Sequence, residues 1–225
     1  MKIYAMSDIH GCIDEFNNAL KLIDLEDTNT MLILLGDYIH GGDSIAVLDK
    51  VIELQKQYGD QKVVALMGNH EEAVAEFGMS LTETDTVEHH VSPLALSKYK
   101  KWMKKLPRYY KTDTQIFCHA GVAEEAEDLW EVGTDPYMFT GKFPPETGEF
   151  YMDIIAGHTG TFSPYLSNDA NYHDIYFDGH SHYFIDGATV HSGVIPILMY
   201  DTETKKYYSV TDEGTRLLLN TPSQI

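Results

Sequence analysis

Short apolar runs and amphipathic segments alternate along the first third of the chain. Three apolar runs, at residues 3–6, 31–35 and 63–67, are bounded by glycine and aspartate. Runs of this kind are typical of buried strands in a parallel sheet. The segments between them repeat apolar residues at helical spacing, which predicts helices over 14–24 and 44–57. This order of elements indicates a right-handed parallel α/β arrangement.

The middle of the chain is less regular. Residues 78–92 are polar and lack a clear period, so we expect a loop there, with His89 and His90 exposed. A helix is predicted over 93–106, followed by a hairpin of residues 109–111 and 115–118. Frequent glycine and proline between residues 122 and 150 make long regular elements improbable there.

The last third of the chain has the composition of short strands. Segments rich in isoleucine, valine, tyrosine and phenylalanine occur at 153–156, 174–177, 182–186, 194–200 and 206–210. We expect them to form a second, mostly antiparallel sheet packed on the first. The predicted fold class is α/β: a four-layer α-β-β-α sandwich of two mixed sheets flanked by helices, built as a single domain over residues 1–225.

Each of the first three apolar runs leads into a polar loop. The loops carry two carboxylates, an amide and two imidazoles: Asp8, His10, Asp37, Asn69 and His70. Ligands of open α/β sheets collect beyond the carboxyl ends of the strands, so these side chains should converge on one site. Nitrogen and oxygen donors of this kind form a ligand set for divalent metal ions.

Charge restricts the partners of such a site. The chain carries 16 basic and 35 acidic residues, a formal net charge of −19. This field repels phosphate backbones, which argues against nucleic acid as the main partner, and bound metal ions would have to invert it locally for an anionic substrate. Seven of the basic residues fall between Lys98 and Lys111, either as a solvated helix face or as a rim that attracts acidic substrate.

Localisation is expected to be cytoplasmic, without membrane association. No apolar run reaches the roughly 20 residues of a membrane helix, and strand-like sequence begins at once at the N-terminus, leaving no room for a signal peptide. Cys12 and Cys118 each lie beside a proposed metal loop and are expected to be free thiols. Nothing in the sequence predicts the oligomeric state.

Five short motifs in order resemble those of the calcineurin-like metallophosphoesterase family. They are Asp8-x-His10-Gly11, Gly36-Asp37, Gly68-Asn69-His70-Glu71, His119-Ala120-Gly121 and Gly157-His158-Thr159. The resemblance covers roughly residues 3–160 and looks closest to the branch that holds bacterial serine/threonine protein phosphatases and symmetrical diadenosine tetraphosphatases.

This resemblance implies an enzyme with two divalent metal ions, for which Mn, Fe or Zn suit the donors. Asp8 and His10 would hold the first ion and Asp37 would bridge both, while the second would be held by Asn69, His119 and His158. The family chemistry is attack on phosphorus by a hydroxide shared between the metals. His70 would then protonate the leaving oxygen or bind a phosphate oxygen.

The second motif departs from the family pattern. His40 stands where the resembled phosphatases have a carboxylate that orients the catalytic histidine, and Gly41 stands where they have a phosphate-binding arginine. The family's other arginine has no counterpart between His119 and His158. Loss of one donor to a developing oxyanion typically costs about 10²–10³ in rate. Loss of both arginines without replacement should therefore cripple the usual phosphomonoesterase chemistry.

Three hypotheses follow for the function. In the first, Lys142 or Arg108 supplies the missing charge and the chain is a phosphomonoesterase of the protein-phosphatase kind. In the second, it is a phosphodiesterase or dinucleoside polyphosphate hydrolase, whose reacting phosphorus carries less charge. In the third, it is a metal-binding module for phosphorylated ligands with little turnover. The expected partner is accordingly a phosphorylated small molecule, nucleotide or phosphoprotein.

Two further side chains are predicted to act at the site. His40 is expected to assist His70 when at least one of the two rings is neutral, because two imidazolium ions repel. The alternative is that His40 points to solvent and serves only the turn at Gly41-Gly42. Asp186 is a candidate hydrogen-bond partner of a metal-ligating histidine, since such histidines usually donate their second N–H to a carboxylate or carbonyl.

Overall fold

The computed structural model describes residues 1–81 and 92–218. The loop predicted over 78–92, with His89 and His90, lies mostly outside them. The strands are β1 (Lys2–Met6), β2 (Thr30–Leu34), β3 (Val63–Ala65), β4 (Tyr109–Lys111), β5 (Gln115–Cys118), β6 (Asp153–Gly160), β7 (Tyr176–Phe177), β8 (His182–Asp186), β9 (Leu198–Asp201), β10 (Lys206–Thr211) and β11 (Gly214–Leu217). The helices are α1 (Ile13–Leu20), α2 (Ser44–Tyr58), α3 (Asn69–Ala75), α4 (Pro93–Met103), a 3₁₀ helix (Glu124–Leu129), α5 (Trp130–Gly133), α6 (Met138–Gly141) and α7 (Thr189–Ser192).

The strands form two mixed sheets. The first has the order β11-β10-β9-β1-β2-β3, in which β1, β2 and β3 are parallel and β9 to β11 are antiparallel. The second has the order β4-β5-β6-β8-β7, in which β5, β6 and β8 are parallel and the two edge strands are antiparallel. These pairings confirm the predicted α/β class with two mixed sheets flanked by helices.

The prediction for the last third of the chain was partly wrong. Of the strands that the structure describes in this third, β6, β7 and β8 join the second sheet, and most of the interior pairing of that sheet is parallel rather than antiparallel. The later strands return to the first sheet, where β9 pairs with β1. Without β9, one edge of β1 would leave its backbone N–H and C=O groups unpaired, and such groups have to be satisfied.

Alternate residues of β1 face two different cores. Tyr4 and Met6 pack against α1, α2 and α4, while Ile3 and Ala5 face the second sheet. Between the sheets they meet side chains that include Phe117, Ile155, Tyr183 and Ile185. A third core, with Trp130 and Phe139, covers the outer face of the second sheet. Together the three cores produce the expected four layers.

Helix ends differ from the prediction by a few residues. Helix α1 ends at Leu20 rather than at 24, because Leu22 and Ile23 continue it only with i→i−3 hydrogen bonds, at 3.1 and 3.2 Å. Ile23 nevertheless stays buried, as its helical spacing predicted. Helix α4 ends at Met103, and the short strand β11 was not predicted. Among helices of the described ranges, none combines the length and apolar character that a bilayer crossing requires.

The lysine-rich segment divides into two parts. On and just beyond α4, Lys98, Lys101 and Lys104 are exposed, as a solvated helix face would be. Toward the second sheet, Lys111 pairs with Glu131 and Arg108 pairs with Glu72 and Glu76.

His182 on β8 ties the 3₁₀ helix to the second sheet. Its Nδ1 lies 3.0 Å from Asp178 Oδ2, and its Nε2 lies 3.1 Å from Glu124 Oε1. Burial alone lowers the pKa of His182, but the hydrogen bonds to Asp178 and Glu124 outweigh burial and raise the pKa to about 9. Protonated His182 therefore stabilises the contact between the two elements.

We expect the free energy of unfolding to decrease as the pH rises from about 6.5, the ordinary histidine pKa, to about 9. A histidine whose folded pKa is raised stabilises the fold fully below its unfolded pKa, and this contribution disappears as the pH passes the folded value. The shift corresponds to about 3 kcal/mol at most. Urea denaturation should show a steeper decline for the wild type than for His182→Gln, with the exposed control His191→Gln following the wild type. Equal slopes for the wild type and His182→Gln would contradict this.

Candidate metal centre

The candidate ligands lie at the carboxyl ends of strands in both sheets. Asp8 and His10 follow β1, Asp37 follows β2, and Asn69 opens α3 after β3. His119 follows β5, and His158 lies within β6. Four of these residues have a left-handed backbone, with φ values of 54°, 47°, 54° and 63° for Asp8, His10, Asp37 and His158. Non-glycine residues adopt this conformation only where their surroundings hold them, and such positions cluster at functional sites.

One carboxylate oxygen lies at the middle of the cluster. Asp37 Oδ2 is 3.4 Å from His119 Nε2 and 3.7 Å from the Nε2 atoms of both His10 and His70. Asp8 Oδ1 lies 3.8 Å from His10 Nε2. Asp37 thus faces side chains that reach it from both sheets.

Asn69 joins the two histidines of the second sheet to this group. Its Oδ1 lies 2.9 Å from His119 Nε2 and 3.1 Å from His158 Nδ1. The backbone N–H of His158 donates to Asp8 Oδ2 at 3.0 Å, which closes the arrangement. The structure therefore brings together all six residues that the sequence proposed as ligands.

The donor set fits divalent cations. Two trios, His10 with Asp37 and His70, and Asp8 with Asp37 and His119, each place their ligand atoms within 4.8 Å of one another. Asp37 belongs to both trios. His119 Nδ1 is buried without a hydrogen-bond partner among the described residues. Nitrogen and oxygen donors without thiolate suit Mn, Fe or Zn.

The electrostatics of the cluster also favour a bound cation. Burial alone would raise the pKa of Asp37, but the imidazoles of His119, His10 and His70 hold it well below its usual range. Burial lowers the pKa of His119, but the charge and hydrogen bond of Asp37 raise it to about 10. Asp37 is therefore a buried anion that requires positive charge beside it, which a divalent cation would supply.

Glu71 is a residue of the site that the sequence interpretation missed. Its carboxylate is fully buried and accepts hydrogen bonds from the backbone N–H groups of Asp37, Tyr38 and Gly68, at 2.8, 2.8 and 3.1 Å. It thereby joins the loops after β2 and β3. A glutamate three residues past Gly68 at a helix start was the available signal, because this is the acidic position of a capping box.

Gly68 allows these loops to approach. A Cβ atom at this position would lie 2.2 Å from Asp37 Oδ1 and 2.3 Å from the Asp37 backbone nitrogen. Any side chain here would displace the central carboxylate.

His40 lies beside His70 and does not point to solvent. Its Nδ1 is 2.5 Å from His70 Nδ1, and its Nε2 is 3.0 Å from the carbonyl oxygen of Ser80. The alternative that this histidine serves only the turn is therefore wrong. Burial lowers the pKa of His70, and the neighbouring histidines lower it further against the opposing effect of Asp37.

Arg108 and Lys142 are the two basic side chains proposed to replace the family arginines. Both pair with carboxylates. Arg108 pairs with Glu72 and Glu76, and donates to the carbonyl of Pro136. Lys142 donates to the carbonyl of Val122 and pairs with Glu124 and Glu146. Both charges are largely neutralised within the fold.

Asp186 does not take the predicted role. No hydrogen bond joins it to a histidine in the described part of the chain; its Oδ1 accepts from the N–H of Ala188 at 2.8 Å. His10 Nδ1 instead lies 2.9 Å from the carbonyl oxygen of Ile39, so a backbone carbonyl orients this ring. Burial and the charge of Asp8 raise the pKa of Asp186 to about 7.

A family model described as calcineurin-like phosphoesterase matches residues 1–184. The chain belongs to this family. The matched residues include all five motif loops. They therefore include the proposed metal ligands from both sheets.

Curated relatives of this family member are named symmetrical bis(5'-nucleosyl)-tetraphosphatases. The protein of Nitrosospira multiformis is 29% identical over 126 residues, which cover 54% of this chain and 44% of the relative. That of Nitrosococcus oceani is 31% identical over 140 residues, which cover 60% and 47%. The matched part is thus less than half the length of these relatives.

Solved phosphatase structures share the fold. A cold-active protein-tyrosine phosphatase of a psychrophilic Shewanella species superposes with a TM-score of 0.65 at 16% identity, covering 96% of this chain and 80% of that one. A protein serine/threonine phosphatase of Saccharomyces cerevisiae gives a TM-score of 0.59 at 11% identity, covering 96% and 78%. At these identities the likeness concerns the fold alone.

We expect Asp37→Asn to lower the number of metal ions that the calcineurin-like phosphoesterase chain binds. Asparagine keeps the shape of the side chain but removes the charge shared by both trios, and cation sites depend on ligand charge. Equilibrium dialysis against Mn²⁺, with metal analysis, should give two ions per wild-type chain and at most one per variant. The exposed control Asp60→Asn should match the wild type. Wild-type stoichiometry in Asp37→Asn would refute the shared role of this carboxylate.

Proposed function

We propose that the chain is a metal-dependent phosphoesterase with a centre for two divalent cations. The proposed ligands are Asp8, His10, Asp37, Asn69, His119 and His158. The observation that carries this proposal is the position of Asp37 Oδ2, which has three imidazole nitrogens within 3.4–3.7 Å. When bound, the cations would supply the Lewis acidity that activates water and neutralises phosphate oxygens.

Residues of the chain provide the proton chemistry. His70 Nε2 faces the cluster from 3.7 Å, so it is placed to give a proton to a leaving oxygen or to hold a phosphate oxygen. His40 contacts the Nδ1 atom on the opposite side of the His70 ring. Glu71 accepts hydrogen bonds from the Asp37 loop and from Gly68 at the start of α3. These bonds fix the position of His70 relative to the Asp37 carboxylate.

A nucleotide linkage is the substrate class that the site favours. A bridging phosphorus carries one negative charge where a terminal phosphoryl group carries two, so it needs fewer basic side chains. Arg108 and Lys142 are already paired with carboxylates, which leaves the site short of such charge. Relatives named as bis(5'-nucleosyl)-tetraphosphatases support the same choice. We therefore propose a dinucleoside polyphosphate as substrate.

The position of Lys142 supports a second candidate function, the hydrolysis of phosphomonoesters. A Cβ atom at Gly121 would lie 2.6 Å from Lys142 Cδ, so this side chain runs across the residue two positions past His119. If a phosphoryl dianion took the place of Glu146, it would pair with the Lys142 ammonium group, which would keep its contacts with Glu124 and the Val122 carbonyl. Glu146 is exposed enough to move, with 49% of its side chain accessible.

An exposed aromatic pair next to Lys142 suits a nucleobase. Phe143 and Tyr165 are 58% and 57% exposed, and their ring centroids lie 5.0 Å apart in an edge-to-face arrangement. Stacking of a base on an aromatic side chain contributes about 1–3 kcal/mol and tolerates different bases. We propose that this pair receives one nucleoside of the substrate.

A substrate panel tests the proposed activity. With Mn²⁺ present, we expect diadenosine tetraphosphate to be hydrolysed faster than p-nitrophenyl phosphate, bis-p-nitrophenyl phosphate or a phosphopeptide. His70→Asn should lose about 10²–10⁴ in kcat, the usual contribution of a general acid. Monoester preference that Lys142→Ala abolishes and the exposed control Lys101→Ala preserves would favour the phosphomonoesterase. If the protein binds its full complement of metal but hydrolyses none of these substrates, the result would favour a metal-binding module for phosphorylated ligands.

The aromatic pair has its own test. Tyr165→Ala should raise KM for diadenosine tetraphosphate about tenfold, which corresponds to about 1.4 kcal/mol of lost stacking. It should leave kcat/KM for inorganic tripolyphosphate unchanged, because that substrate has no aromatic ring to stack. Tyr151→Ala is the matched control, since Tyr151 is 60% exposed and lies outside the pair. Equal losses on both substrates would exclude a base-binding role for Tyr165.

A further inference from the structure

The contact between His40 and His70 requires a single shared hydrogen. Their Nδ1 atoms lie 2.5 Å apart, and the ring centroids lie 4.8 Å apart with an angle of 65° between the planes. Two N–H groups pointing at each other would clash, and two lone pairs would repel. One nitrogen must therefore donate and the other accept.

The carbonyl of Ser80 decides which ring donates. This oxygen lies 3.0 Å from His40 Nε2 and can only accept, so His40 Nε2 carries a hydrogen. A neutral imidazole has one N–H, which leaves His40 Nδ1 as the acceptor. The hydrogen between the rings then belongs to His70 Nδ1, and His70 Nε2 carries the lone pair; this nitrogen lies 3.7 Å from Asp37 Oδ2, beyond hydrogen-bond distance.

His70 and Ser80, the two residues that contact His40, are both attached to α3. His70 lies in the first turn of α3, while Ser80 follows Met79, whose backbone N–H donates to Ala73 of α3 at 3.1 Å. His40 is held from the other side, because its backbone N–H donates to Ser44 Oγ at 3.1 Å. These hydrogen bonds hold the three groups in their relative positions.

We propose that the Ser80 carbonyl and His40 together hold His70 as its Nδ1–H tautomer, with Nε2 directed at the metal centre. His40 is a positioning residue in this arrangement. The consequence for catalysis rests on the proposed function: Nε2 is the atom that takes up a proton and returns it to the leaving oxygen, while the Nδ1 hydrogen stays in the bond to His40. The Nδ1 atom of His40 acts here as the acceptor that orients His70.

Nitrogen NMR reads the tautomer directly. Long-range ¹H–¹⁵N spectra of histidine-labelled protein, loaded with diamagnetic Zn²⁺ at about pH 8, distinguish the two forms of a neutral ring. The spectrum of His70→Asn identifies the signals of His70. We expect the wild type to show the Nδ1–H form and His40→Ala to show a mixture. His40→Asp should restore the Nδ1–H form, because a carboxylate also accepts this hydrogen.

Two results would overturn the proposal: an Nε2–H form of His70 in the wild type, or an unchanged Nδ1–H population in His40→Ala. The wild-type spectrum decides the first even if His40→Ala fails to fold. His191→Ala, which removes an exposed histidine, should leave the His70 signals unchanged. Turnover is measured separately: kcat should fall in His40→Ala and recover in His40→Asp. An Nδ1–H tautomer in a protein that hydrolyses no phosphoester would sustain this inference and refute the proposed function.

Discussion

A buried carboxylate that needs positive charge is the constraint on which the centre depends. Asp37 is 2% exposed, so its charge cannot be balanced by water. Imidazoles from both sheets surround it, and three of them hold its pKa below the usual range. The two sheets thus meet at one anion, and the four-layer packing serves to bring their strand ends within reach of it.

Close backbone approach is the second requirement. The left-handed conformations of Asp8, His10 and Asp37 aim these side chains inward at a cost that the surrounding packing and hydrogen bonds must cover. Gly157 shows how little space remains, since a Cβ atom there would lie 2.1 Å from both Asp8 Oδ2 and Ser7 Oγ. Preorganisation of this kind keeps the donors in place before any ligand arrives.

Much of the centre could be predicted because its residues follow strands directly. The apolar runs of β1, β2 and β3 reveal the strands, and the ends of parallel strands meet at one edge, so Asp8, Asp37 and Asn69 had to converge. The contact of His40 with Ser80 could not be predicted in this way. It depends on how the loop before α2 meets the chain after α3, and no local pattern encodes that distance. The ion pairs of Arg108 and the return of β9 to β1 are long-range in the same sense.

The departures from the family pattern fall on phosphate binding, at Gly41, and on the partner of His70, at His40, while the six proposed metal ligands match the pattern. Asp37 and the five other proposed ligands lie together, whereas Arg108 and Lys142 pair with carboxylates. Anomalous diffraction from crystals grown with Zn²⁺ tests the central claim most directly. The account predicts two zinc peaks about 3.5–4 Å apart, both about 2.0–2.2 Å from Asp37 oxygens; a cluster without peaks, or zinc bound away from Asp37, would contradict it.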